Sequence, residues 1–122
     1  MKIPKQYLPV MPYLIVKDAK AFKKFMTVVF GATEQFVIPR DENSIMRGEL
    51  KIGDAIIMYA DSTDLYKEQP SGMLIYVESV DAVYKAAMDK NAKALMVPAK
   101  MDYGYTAGFE DTWGNQWWIV EP

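Results

Sequence analysis

The chain contains neither cysteine nor histidine. Without cysteine there can be no disulfide and no thiolate, either as nucleophile or as metal ligand. Without histidine the commonest general base and the commonest metal ligand are missing. Ser–His–Asp and Cys–His machinery is therefore excluded. Any metal would have to be held by carboxylates, carbonyls and water, a donor set for hard ions rather than zinc. No glycine-rich phosphate loop occurs. The 14 basic and 16 acidic residues are well mixed along 122 positions and leave a net charge of -2. With no basic patch, a nucleic-acid partner is not expected. No run approaches the ~20 apolar residues of a membrane helix, so no membrane partner is expected either. Lys2 and Lys5 precede the apolar run YLPVMPYLIV, as in a secretory signal. Pro9 and Pro12 interrupt that run, however, and no small-residue cleavage site follows. The absence of cysteine fits a reducing, cytoplasmic location.

What is present is ordinary in amount and informative in order. Apolar residues make up 51% of the chain and charged residues 25%, as in a globular domain able to bury a core without staples. VMPYLIV, residues 10–16, reads as a strand with a ragged, proline-marked start. Asp18 is a helix N-cap candidate, Phe22, Phe25, Met26, Val29 and Phe30 recur at helical spacing, and Gly31 is the stop. TEQFVIP, SIMRGELKIG and DAIIMYAD follow as strands separated by turn residues. STDLYKEQPSG is polar and reads as a linker. The order then repeats. GMLIYV is a strand, Ser79 caps a helix with Val80, Val83, Tyr84, Ala87 and Met88 on one face, and Asn91-Ala92 ends it. KALMVPA, YTAGFED and NQWWIVE are three more strands.

The caps Asp18 and Ser79 stand 61 positions apart, as do the turn glycines Gly53 and Gly114. Equal offsets with the same order between them indicate an internal duplication, with repeats at 8–61 and 72–122 and a linker at 62–71. The alternative is an α+β domain with coincidental spacing. The expected fold class is α+β, with two βαβββ modules forming curved mixed sheets around a cleft in one domain, 1–122.

This pattern resembles the vicinal oxygen chelate superfamily of glyoxalases, bleomycin-resistance proteins and dioxygenases, and within it the PhnB-like branch. GELKIGDAIIMYAD is similar to that branch's strand pair around an I-G-D turn. YGYTAGFEDTWGNQWWI is similar to its Y-G-D-R-x-G-x-x-x-D-P-x-G-x-x-W signature through Tyr103, Gly104, Gly108, Asp111, Gly114 and Trp117. Tyr105 and Thr106 replace the usual Asp-Arg, and Thr112 replaces the usual proline. The resemblance covers essentially the whole chain and implies four metal ligands, usually His or Glu, on the first and last strands of each half. The matching positions here are Met11, Gly72 within one residue, Trp118, and either Ile57 or Met58. Arg47 stands where the branch often has histidine. None of these is a hard ligand, so the resemblance implies a lost metal site, and no cofactor is expected.

Strand alternation sends the adjacent tryptophans to opposite faces. Trp117, which matches the branch's tryptophan, should face the helices, and Trp118 the cleft. The alternative is that Trp118 plugs a cleft closed into core. Met11, Tyr13 and Ile15 share a face of the first strand, and Tyr76 shares one with Leu74. Arg47, Glu49 and Lys51 alternate with an apolar set expected to pack on the helix. Arg47 could grip an anion, or with Glu49 form only a solvated charged strand face. Tyr103, Tyr105, Phe109 and Trp113 suit a planar ligand or a subunit interface. Glu110 and Asp111 are adjacent and diverge, so Asp111 is expected to cap a turn.

Candidate ligand-binding residues are thus Met11, Tyr13, Arg47, Glu49, Ile57, Met58, Tyr76, Tyr103 and Trp118. The leading expectation is a homodimer that binds or sequesters an apolar or aromatic small molecule without a metal. One alternative is a glyoxalase-like lyase, isomerase or transferase with a carboxylate-based site using Glu49, Arg47 or a tyrosine. Another is a dimeric interaction module with a vestigial cleft.

Overall fold

A computed structural model describes residues 1–122. The elements run β1 (Tyr13–Val16), α1 (Ala19–Phe30), β2 (Thr33–Pro39), β3 (Ile45–Ile52), β4 (Ala55–Asp61), β5 (Gly72–Tyr76), α2 (Val80–Asp89), β6 (Lys93–Met101), β7 (Gly104–Glu110) and β8 (Gln116–Glu121). They form two similar βαβββ modules. Each has a four-stranded mixed sheet, ordered β1-β4-β3-β2 in one and β5-β8-β7-β6 in the other. In both, the first strand lies parallel to the last and the other pairings are antiparallel.

The compact unit holding the first sheet comprises residues 1–27 and 31–69. Asp18, at a left-handed φ of 62°, accepts from the Ala21 N–H and starts α1. Gly31, with φ of 67°, donates to the Thr27 carbonyl, and Ala32 donates to that of Met26, which ends it. The apolar stripe of α1 buries Phe22, Phe25 and Met26, with the Phe22 ring 5.7 Å from that of Tyr59 on β4. By alternation, Leu14, Val16, Ile57, Tyr59, Gly48 and Leu50 share this helix-facing side.

The unit holding the second sheet comprises residues 28–30 and 70–122. Ser79 caps α2 by accepting from the Ala82 N–H. The Tyr105 hydroxyl on β7 donates to Asp81 of α2, which places α2 on the Tyr105, Ala107 and Phe109 side of its sheet. Trp117 and Ile119 pair with Phe109 and Ala107, and all four are buried. Phe30 completes this cluster, its ring 4.7 Å from Trp117 and 6.1 Å from Phe109.

Each helix start is also tied to the end of its own sheet. Asp61 Oδ1 accepts from the Ala19 N–H at 2.9 Å, and Glu121 Oε1 accepts from the Val80 N–H at 2.8 Å. A carboxylate at the first turn stabilises both the free amides and the helix dipole.

Several boundaries differ from the expected ones. β1 begins at Tyr13, not residue 10, because Pro12 has no N–H and only its carbonyl is used, by Met58 N–H. Met11 therefore lies outside the strand. β6 runs on to Met101 past Pro98, which an edge strand tolerates, with register shifts between Ala94 and Ala99. The turn glycines are not equivalent. Gly53 sits in the tight turn joining Ile52 to Ala55, whereas Gly114 sits in the longer loop from Glu110 to Gln116.

Candidate functional site

In the first unit the sheet face turned away from α1 carries Tyr13 and Ile15 from β1, Met58 and Ala60 from β4, and Arg47 and Glu49 from β3. Tyr13 pairs with Met58, and in the second unit Leu74 pairs with Trp118. Met58 therefore matches Trp118, while Ile57 points to the α1 side, against the alternative that placed it in the cleft. Both Ile57 and Met58 are buried.

Glu49 is fully buried, which overturns the alternative of a solvated charged strand face. A buried carboxylate needs donors, and two are supplied. The Tyr7 hydroxyl donates to Oε2 at 2.8 Å and Gln35 Nε2 donates to Oε1 at 3.0 Å. Arg47 Nε lies 3.7 Å from Oε2, and the Arg47 guanidinium stands 5.7 Å from the Phe36 ring centre. The hydrogen bond to Glu49, assisted by burial, holds the Tyr7 hydroxyl above its ordinary pKa. Lys51, from the same alternating set, is exposed.

Further along this face opens a pocket of about 690 Å³. β1 contributes Tyr13 and Ile15, and β4 contributes Ala60 and Asp61. Thr63, Leu65 and Tyr66 come from the segment after β4, which Gln69 ties back to β1 through an N–H bond to the Ile15 carbonyl. Arg40 and Met46, at the two ends of the β2–β3 turn, complete the wall. Of the nine residues singled out in the sequence, Tyr13 alone lines this pocket. Sequence reasoning missed Arg40, Asp61, Leu65 and Tyr66, as well as Tyr7 and Gln35. The readable signal was the Leu65-Tyr66 pair inside an otherwise polar linker.

In the second unit Trp117 and Trp118 diverge as expected. Trp117 is buried on the α2 side, its indole Nε1 donating to Asp111 Oδ2 at 2.9 Å. Asp111 also accepts from the N–H groups of Trp113 and Asn115 and from the Asn115 side chain, so it organises the β7–β8 loop. Trp118 is half-buried on the opposite face, against Gly108. Leu74 and Tyr76 share that face and are exposed, and Tyr103 is exposed at the β6–β7 turn. Tyr76 also borders an open hollow of about 450 Å³ with Val77, Glu78, Glu121 and Pro122. Met11, Tyr13, Arg47, Glu49, Ile57 and Met58 thus belong to the first unit, and Tyr76, Tyr103 and Trp118 to the second.

A family model described as the glyoxalase/bleomycin resistance protein/dioxygenase superfamily matches residues 7–119. The chain belongs to this superfamily. Solved structures with the same fold include TioX from Micromonospora sp. ML1, at 16% identity and a TM-score of 0.77, covering 94% of this chain and 98% of that one. TnmS3, an antibiotic binding protein from Streptomyces sp. CB03234, is 18% identical with a TM-score of 0.71, covering 95% and 99%. A PhnB protein from Bacillus cereus, described as a putative 3-demethylubiquinone-9 3-methyltransferase, is 15% identical with a TM-score of 0.72, covering 94% and 100%. At these identities the likeness is one of fold. None of the curated proteins matches the chain.

The metal implied by the superfamily resemblance does not fit the residues present. Met58 and Trp118 occupy the last-strand positions, with Tyr13 and Leu74 beside them on the first strands. Neither the thioether and phenol of the first unit nor the indole and alkyl group of the second is a donor pair for a divalent ion of that kind. Glu49 pairs with Met58, but both of its oxygens already accept hydrogen bonds. No group of three or more His, Cys, Asp or Glu residues is placed to hold a metal. No helix is long and apolar enough to cross a membrane.

Proposed function

We propose that this member of the superfamily binds an apolar or aromatic small molecule without a metal ion, as a cytoplasmic homodimer. The observation that carries the reading is the pocket of about 690 Å³, within the range of small-molecule sites and walled mainly by Tyr13, Ile15, Met46, Ala60, Leu65 and Tyr66. The side chains at the metal-ligand positions support the metal-free part. Leu74 and Tyr76, exposed together on the second sheet, support burial against a second copy. TnmS3, an antibiotic binding protein, has the same fold, which supports a ligand-binding role. A base must reach a substrate proton, and the burial of Glu49 with both oxygens engaged argues against the enzyme alternative that relies on it.

The test is a thermal-shift screen across chemical classes, with and without Ni, Co, Zn, Mn and Mg. Aromatic and apolar compounds should stabilise the protein equally in both series. A ligand at a hundred times its Kd should add about 2.7 kcal/mol. A screen with no stabilising compound of any class, or tight stoichiometric metal binding by calorimetry, would overturn the proposal.

A further inference from the structure

The pocket of the first unit is lined by one residue of each charge, Arg40 and Asp61, and their situations differ. Asp61 directs both carboxylate oxygens to backbone amides, Oδ1 to Ala19 and Oδ2 to Ile45 at 2.6 Å. Its negative charge is engaged inside the fold. Arg40 is exposed and takes part in none of the ion pairs of the structure. One of its terminal nitrogens, Nη2, donates to the Asp61 carbonyl at 3.3 Å, which anchors the guanidinium at the pocket wall. A guanidinium has more donors than that single bond uses, arranged in a planar fork that matches a carboxylate. The neighbouring Asp41 makes no ion pair with it, and Asp41 Oδ1 accepts from the Asn43 and Ser44 amides at 2.8 Å each. Beside Arg40 the wall offers the phenol rings of Tyr13 and Tyr66 and the aliphatic surface of Ile15 and Leu65.

We infer that the preferred ligand of this pocket is a small aromatic carboxylate, its ring against Tyr13, Ile15 and Tyr66 and its carboxylate on the Arg40 fork. The inference rests on the ligand-binding reading above and adds the charge of the ligand and the residue that selects it. An aromatic amide of the same shape fills the same wall but lacks the charge. A charge-assisted contact is worth roughly tenfold or more in affinity.

The experiment is calorimetric titration of the full chain with naphthoate and with naphthamide, on the natural protein and on Arg40→Met, Arg40→Lys and Met46→Trp. Arg40 and Met46 are both exposed, so these variants should melt within a degree or two of the parent. The expected result is naphthoate at least tenfold tighter than naphthamide in the parent, by that same charge-assisted contact. The preference should vanish in Arg40→Met and survive in reduced form in Arg40→Lys. Met46→Trp, which fills the wall, should weaken both compounds. Equal affinity for the two compounds overturns the carboxylate inference and leaves ligand binding standing. So does a preference that persists in Arg40→Met, which would place the anion elsewhere. If neither compound binds while another class stabilises the protein in the screen, this inference fails alone. If nothing binds, both fail.

Discussion

The Trp118 indole covers Gly108 on the neighbouring strand. A Cβ built on that glycine would stand 2.2 Å from Cζ3 of the indole. The same contact recurs in the other sheet, where a Cβ on Gly48 would stand 2.2 Å from Cζ of Tyr59. The two contacts occupy opposite faces, since Tyr59 looks toward α1 and Trp118 away from α2. Gly108→Ala should therefore push the half-buried indole outward and cost about 1–2 kcal/mol, with a red-shifted fluorescence component. Gly48→Ala, against a ring with nowhere to go, should cost about 2–3 kcal/mol. Urea denaturation of both variants reads the difference, and equal costs would mean that Trp118 is as confined as Tyr59.

The Tyr59 hydroxyl is buried and has no hydrogen-bond partner in the protein. Burial, assisted by the charges of Glu34 and Asp61, pushes its pKa up to about 12. The unfolded chain ionises this tyrosine near pH 10, while the folded chain keeps it neutral. Its contribution is fully present below about pH 10 and is lost as the pH rises through about 12, a change of roughly 2–3 kcal/mol. Tyr59→Phe should flatten that part of the stability profile. At neutral pH it should leave stability unchanged or raise it by up to about 1 kcal/mol, because it removes an unpaired buried hydroxyl. Chemical denaturation at pH 7 and pH 11 tests both statements.

The buried Asp111 gathers four donors, one from Trp113, two from Asn115 and one from the Trp117 indole. Asp111→Ala should cost about 3–5 kcal/mol, since it orphans buried donors as well as removing bonds to a charge. Asp111→Asn should cost less and should shift the Trp117 emission. A loss below 1 kcal/mol for the alanine variant would show that water replaces the carboxylate without penalty.

The two helix ties should differ in strength. Asp61 serves Ala19 and Ile45, whereas Glu121 serves Val80 alone. Asp61→Ala is expected to cost about 2 kcal/mol and Glu121→Ala about 1 kcal/mol, in line with the loss of helix caps. Thermal melts of the two variants that showed the reverse order would contradict this ranking.

Much of the fold was legible because periodicity and caps are local signals. Asp18, Ser79 and Gly31 have the roles their neighbours imply, and the strand–helix–strand–strand–strand order repeats as read. The divergence of Trp117 and Trp118 followed from strand alternation alone. The pocket was less legible because its walls come from a strand, a turn and a linker that meet only in the folded sheet. Leu65 and Tyr66 looked like connector residues, and Arg40 and Asp61 like turn and strand ends. The burial of Glu49 was illegible for a related reason. Its burial depends on Tyr7, 42 positions earlier, and on Gln35 across a bulged strand pair. Neither partner is visible from the alternation of β3. The matching glycine offsets were partly fortuitous, since Gly53 and Gly114 serve turns of different length.

The bond from Tyr7 to Glu49 also orders events during synthesis. Tyr7 leaves the ribosome 42 residues ahead of its acceptor. Until β3 has emerged and paired with β2, the segment around Tyr7 has no seat, and Glu49 remains hydrated. The arrival of that phenol seals the carboxylate, so the residues around Tyr7 settle only after β3 has formed. A nascent chain halted before β3 has cleared the ribosome should therefore leave this arm open to proteases that the finished protein resists.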